Sequence, residues 1–262
     1  LAFSESGETM RVRGTKLGLL LTVAGPLITT VTARAAIVVT SDNQLGAGGT
    51  TTFTPTYTVN QPDLLLNLTP TSSTGTFNLE TSGGLPVLTD GSYGTINNGT
   101  TGSHPAFATG GNNGGTQVIY TLATPAKITA FQVLGGWNDS GRDEQNYNIA
   151  YTTTSNSTFQ PLSLAGATVT TGSATISGNT IDFNPASVPA STQDATQTTI
   201  SDNNGAALAT GVTAIEFNFG TVENGYTGYA ELAAIGTTPE PSVLALGVVC
   251  GGGLLMRRRR TI

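Results

Sequence analysis

Residues 213–219, Thr213-Ala-Ile-Glu-Phe-Asn-Phe219, set Ile215, Phe217 and Phe219 two positions apart, with Glu216 and Asn218 between them. In an extended chain successive side chains point to opposite faces, so this pattern makes one apolar face and one polar face. A helix would put Ile215 and Phe217 on opposite sides and could bury only one of them. The same alternation recurs in Asn146-Tyr-Asn-Ile-Ala-Tyr151, where Tyr147, Ile149 and Tyr151 share a face. Further strands are expected at 117–122, 128–134, 158–164, 174–176, 180–183 and 229–235. Turn residues separate them: Ser177-Gly178-Asn179 suits a hairpin, and Asn-Gly pairs begin at Asn98, Asn113, Asn204 and Asn224. Between residues 36 and 236 no stretch carries a helical period, and no fixed-length repeat appears. Many short strands joined by turns give an all-β fold, a β-sandwich of the jelly-roll kind.

The two ends differ from this middle. From Met10, Arg11, Arg13 and Lys16 form a basic segment, residues 17–31 an apolar one, and Ala33-Arg34-Ala35 a small-residue cleavage site. That is the layout of a secretory signal peptide, and Leu1 to Thr9 read as an upstream extension of it. At the other end Pro239-Glu240-Pro241 leads into fifteen uncharged residues, Ser242 to Met256, stopped by Arg257, Arg258, Arg259 and Arg260. A permanent membrane span needs about 20 apolar residues, so this helix is short for an anchor and suits a transient one. The arginines would stay on the cytoplasmic side, which places the middle of the chain outside. The expected divisions are 1–35 (extension and signal peptide), 36–61 (N-terminal strand or linker), 62–236 (the β domain) and 237–262 (the C-terminal signal).

Charge narrows the partners. Charged residues make up 10% of the chain, against about 25% in ordinary soluble domains, with Gly, Thr, Ser and Asn in their place. Between residues 36 and 236 stand two basic residues, Lys127 and Arg142, and thirteen acidic ones, a net charge of −11. A nucleic-acid surface needs basic patches, so that class is excluded; neutral sugars and calcium are better matched. The one cysteine, Cys250, lies in the C-terminal apolar run, so the β domain holds no disulfide.

Two resemblances follow from these residues. Pro239-Glu240-Pro241, the apolar run and the arginine cluster at the chain's end resemble a PEP-CTERM sorting signal. This implies an exosortase-type protease as a partner beside signal peptidase, with delivery to the cell envelope or its extracellular polysaccharide. Within the β domain, Leu88-Thr-Asp-Gly-Ser92, Gly115-Thr-Gln-Val-Ile-Tyr-Thr-Leu122, Lys127-Ile-Thr-Ala-Phe-Gln-Val133 and Ala230-Glu-Leu-Ala-Ala-Ile-Gly236 come in an order similar to the galactose-binding-like (discoidin, or coagulation-factor C-type) jelly roll. The chain departs from many members in lacking a terminal cysteine pair and a Trp after the Asp-Gly loop. The resemblance implies a structural calcium between Asp90 and Glu231, completed by oxygens near Ser92 and Thr95. No other cofactor is implied. On the residues alone, Asp90 equally serves as a turn initiator and Glu231 as a solvent-facing acid.

The remaining chemistry is sparse. His104 is the only histidine, on a Gly/Ser/Thr loop where solvation is the ordinary state, and no G-x-S-x-G stretch accompanies it. Asp139, Asp143 and Glu144 lie within six residues on one turn, whereas a glycosidase needs two carboxylates facing each other across a cleft. No catalytic residue is assigned, and a non-catalytic module is expected. For a glycan, the loop 137–142 offers Trp137 as a stacking platform and Asn138, Asp139 and Arg142 as hydroxyl partners. The competing reading makes Trp137 a core residue and pairs Arg142 with Asp143 or Glu144.

Overall fold

One long strand organises the molecule. In the computed structural model, which describes residues 36–49, 51–97, 103–185 and 188–239, β4 (Gly115–Trp137) runs for 23 residues. The sequence pattern predicts two strands there, at 117–122 and 128–134. The chain instead stays extended, but its pairing with β11 (Ala209–Phe219) lapses between Thr121 and Ala126. Pro125 falls in the lapse, where its missing N–H leaves no ladder bond unmade. The first half of β4 pairs with β11 and with β2 (Ser72–Gly75). The second half pairs with β10 (Asp194–Asp202) and β12 (Thr227–Thr237).

The lapse divides the strands into two layers. On one side β11 continues to β5 (Gln145–Thr153), which carries β6 (Asn156–Pro161) and β9 (Thr180–Phe183), and β9 pairs with β8 (Thr175–Ser177). On the other side β10 continues to β1 (Ile37–Leu45) and β7 (Thr168–Thr171), while β12 carries β3 (Ala108–Gly110). The chain is all-β with a sandwich-like sheet arrangement, as its alternation predicts. Ile215 and Phe217 are wholly buried and Phe219 nearly so, and Phe131 of the second layer meets Phe217 edge-on at 6.2 Å. Tyr147 and Ile149 face the same core. The Ser177-Gly178-Asn179 turn closes the β8–β9 hairpin, with Gly178 at φ +63°.

The segment 36–61 carries a strand, one of its two expected readings: β1 lies between β7 and β10, and pairs with β10 over nine residues. One expectation needs correction: the strand expected at 158–164 is displaced to Asn156–Pro161. Ala33, Ala35, Glu240, Pro241 and the cluster Arg257, Arg258, Arg259 and Arg260 lie outside the described residues. Pro239 is the last described residue and is exposed. Among the described residues no helix is long and apolar enough to cross a membrane.

Register brings four chain segments together at one end of the sheet. Trp137, ending β4, lies opposite Asp194, which begins β10. Gly136 lies opposite Gly228 near the start of β12, and β5 begins at Gln145 after a short loop. The candidate residues 137–142 belong to this region, while Glu231 lies further along β12, opposite Leu134.

Candidate functional site

The Asp-Gly loop follows a 3-10 turn, Leu85–Thr89. Asp90 Oδ1 accepts the Ser92 N–H (2.9 Å) and hydroxyl (3.0 Å), and Gly91 takes φ +82°. Asp90 is exposed and does initiate the turn. Glu231 does not face solvent. A register shift between Tyr229 and Glu231 in β12 bulges the strand, and the Glu231 side chain is wholly buried. Its Oε2 accepts the Gly91 N–H at 2.9 Å, while its Oε1 has no hydrogen-bond partner. The loop and the last strand therefore meet through Gly91 and Glu231.

Two residues that sequence reading missed share this region. Asp63 Oδ1 accepts the N–H groups of Leu65 (2.9 Å) and Ala234 (3.0 Å), leaving Oδ2 buried and unpartnered. The Tyr120 hydroxyl is also buried without a partner. No local motif marks either residue, since both arrive through β-pairings with distant segments. Burial pushes the Glu231 carboxyl up to about 9, the Gly91 N–H opposes this, and the charges of Asp63 and Asp90 add to it. Burial likewise raises Asp63. A carboxylate in such surroundings needs a proton or a cation, and the orphaned Glu231 Oε1 beside the Asp90 loop suits an oxygen-seeking ion such as calcium. Among the described residues no three His, Cys, Asp or Glu side chains already converge around one metal position. An ion there would have to take carbonyl or hydroxyl oxygens as well.

The loop after β4 is built differently from the expected sugar platform. Trp137 is 1% exposed. His104 covers one side at 4.2 Å between ring centroids, and Phe107 stacks at 5.3 Å. No face is left for a sugar ring, so Trp137 takes the core role. Nor is His104 solvated: it is 3% exposed, its Nδ1 has no partner, and its Nε2 stands 3.7 Å from Glu80 Oε2. Burial lowers its pKa and Glu80 partly restores it.

Arg142 pairs with neither Asp143 nor Glu144. Its Nη1 donates to Glu80 Oε1 at 2.6 Å, and its guanidinium lies 4.2 Å over the Tyr226 ring and 5.7 Å from that of Trp137. The Tyr226 hydroxyl donates to the same Glu80 oxygen at 2.5 Å. Burial opposes ionisation of Glu80, yet the hydrogen bonds from Tyr226 and Arg142 outweigh it and lower its pKa. Asp139 Oδ1 accepts the Gly141 N–H at 3.0 Å, an Asx turn, and Asn138 Oδ1 is buried without a partner. The three acids of the turn diverge: Asp139 stays at the rim, Asp143 turns inward to 1% exposure, and Glu144 Oε2 accepts the Glu223 N–H at 2.7 Å. These three frame no cleft among themselves.

No family model matches the chain, and no curated protein does. Among solved structures it is similar to the F5/8 type C domain of a protein from Bacteroides fragilis, at 14% sequence identity and a TM-score of 0.27. That match covers 47% of this chain and 66% of the domain. At this level of likeness no residue role passes from one to the other.

Proposed function

We propose that this chain is an exported, non-catalytic module of the bacterial cell envelope, a galactose-binding-like jelly roll carried to its place by the PEP-CTERM tail. Calcium would tie the Asp90-Gly91 loop to β12 through Asp90 and Glu231, supplying the positive charge that the domain's own side chains do not. The observation that supports this is Glu231: wholly buried, half satisfied by the Gly91 N–H, and without a basic partner. Sites with few charged ligands bind calcium at roughly 0.1–1 mM, a range useful only outside the cytosol, so the ion and export support each other. Glycan, in this reading, meets the rim of the 138–142 loop, where Arg142 and the half-exposed Tyr226 present a stacked planar pair. The burial of Trp137 favours one alternative, a ligand-free coat protein.

Melting the purified protein with calcium and with a chelator tests the metal. Calcium is expected to raise the melting temperature of the wild type, since a ligand bound only by the native state stabilises it, and Glu231→Gln is expected to reduce that shift. A melting curve indifferent to calcium removes Asp90 and Glu231 as ligands. A glycan array comparing wild type with Tyr226→Ala tests the rim, and silence from both supports the coat reading.

A further inference from the structure

A second group of oxygens, none shared with the Asp90–Glu231 pair, collects beneath the 138–144 loop. Asp143 is 1% exposed, and neither of its carboxylate oxygens accepts a hydrogen bond from an N–H or hydroxyl group. Asp194 is wholly buried; its Oδ1 receives only a long 3.4 Å bond from Asn43 Nδ2, and its Oδ2 receives nothing. Glu223 Oε1 and Asn138 Oδ1 are buried and unpartnered too. These side chains come from four segments. Asn138 follows β4, Asp143 precedes β5, Asp194 opens β10, and Glu223 starts the 3-10 turn Glu223–Gly225 before β12. Backbone contacts hold the segments together. Asp194 lies opposite Trp137 in the ladder, the Asn224 side chain donates to the Gly141 carbonyl at 2.6 Å, and the Arg142 carbonyl accepts from Thr227 and Gly228.

The Asp143 carboxyl faces those of both Asp194 and Glu223. Burial raises all three carboxyls, and the hydrogen bonds between them need a shared proton; once ionised, such buried like charges repel strongly unless something positive lies between them. No basic side chain lies there. Among the described residues the only Lys or Arg side chains are Lys127 and Arg142. Arg142 is turned onto Glu80 and Tyr226, and Lys127 lies opposite Thr237, at the far end of β12.

We propose that Asp143, Asp194, Glu223 and Asn138 form a calcium site that clamps the 138–144 loop onto the starts of β10 and β12. The donor set is all oxygen and drawn from four flexible side chains, which suits calcium's six to eight irregular ligands better than magnesium's strict octahedron. It holds no nitrogen or sulfur ligand for zinc. Among the described residues no three carboxylates already stand around one metal position, so this site requires the loop to draw inward on binding. Trp137 precedes Asn138 directly and is the chain's only tryptophan, so it reports that movement.

The test titrates calcium into the chelator-treated full-length protein while following Trp137 fluorescence and thermal melting. Calcium is expected to change the emission saturably and raise the melting temperature, with magnesium at equal concentration doing far less. Asp143→Asn paired with Asp194→Asn is expected to weaken the fluorescence response at least tenfold, while Glu231→Gln leaves it in place. The near-isosteric asparagines remove repulsion, so the metal-free double variant should melt no lower than wild type; Glu223→Gln provides a second variant with the same expected loss. A response that survives in both sets of variants overturns the site, as does a wild type whose emission ignores calcium. A response abolished by Glu231→Gln alone also overturns it, and leaves the Asp90–Glu231 reading standing.

Discussion

At the scale of the residue, Trp137 and His104 reverse the ordinary expectation for polar loops. Both are buried under the loop after β4, their rings in contact and tilted by 32°. Truncating a buried Trp forfeits its transfer energy and leaves a cavity, so Trp137→Ala should cost about 3–5 kcal/mol by denaturant melts. A loss below about 1 kcal/mol would contradict the core role. His104 has a pKa lowered chiefly by burial, so its native state disfavours the charged ring. A group depressed on folding contributes stability that is present above its unfolded value, about 6.5, and is lost as pH falls through the folded one. Wild type should therefore lose melting temperature relative to His104→Gln as pH falls from 7 to 5. Parallel curves for the two proteins would show that the ring is not held neutral. The burial of His104 was not legible locally, because its partner Glu80 comes from another part of the chain; for Trp137 the sequence leaves the core and platform readings open, since Phe107 is likewise distant.

At the scale of the element, legibility follows how each strand makes its buried face. β11 was plain in the sequence because Ile215, Phe217 and Phe219 are unmistakably apolar. β10 was missed, although it pairs with both β1 and β4, because its inward residues include Thr196 and Thr198. Those threonines are satisfied by cross-strand partners: Gln145 donates to Thr196 at 2.8 Å, and Thr198 bonds Gln145 at 2.8 Å and the Tyr147 hydroxyl at 2.6 Å. A polar residue reads as outward until its partner is known, and the partner lies some fifty residues away in the chain. The meeting of the Asp-Gly loop with Glu231 is suggested only by an ordered set of motifs; of the Asp143 group, Asn138 and Asp143 stand in a loop whose polar residues are conspicuous, while Asp194 and Glu223 carry no local signal. Glycines in β4 and in the β8–β9 turn allow a test of packing against conformation. Gly136 has φ +138°, and an added methyl group would run into the Asp194 carbonyl, so Gly136→Ala should cost about 2–3 kcal/mol. Gly178 has φ +63° with open space around it, so Gly178→Ala should cost only about 1 kcal/mol, the backbone penalty alone. Equal losses in urea titrations would mean that crowding at the end of β4 is relieved by movement.

At the scale of the whole molecule, the pairings are overwhelmingly between distant parts of the chain. Ile37 pairs with Asp202, Asp63 bridges Ile235, and β2 sits beside a strand some forty residues later. Loop closure must precede most of the contacts that stabilise them, so refolding should take milliseconds to seconds. Stopped-flow recovery of Trp137 fluorescence measures this; complete recovery within microseconds would contradict it. The same pairings matter for a chain that emerges amino terminus first. β1 leaves the ribosome long before β10, its antiparallel neighbour, exists. At about 5–20 residues per second, the wait from Ile37 to Asp202 is roughly 10 to 30 s. Until β7 follows, near Thr168 and late in that interval, β1 has no partner strand and Val39 is uncovered, open to mispairing with a second nascent copy. A protein closed by its first strand and one of its last therefore depends on being kept extended until nearly all of it has been made.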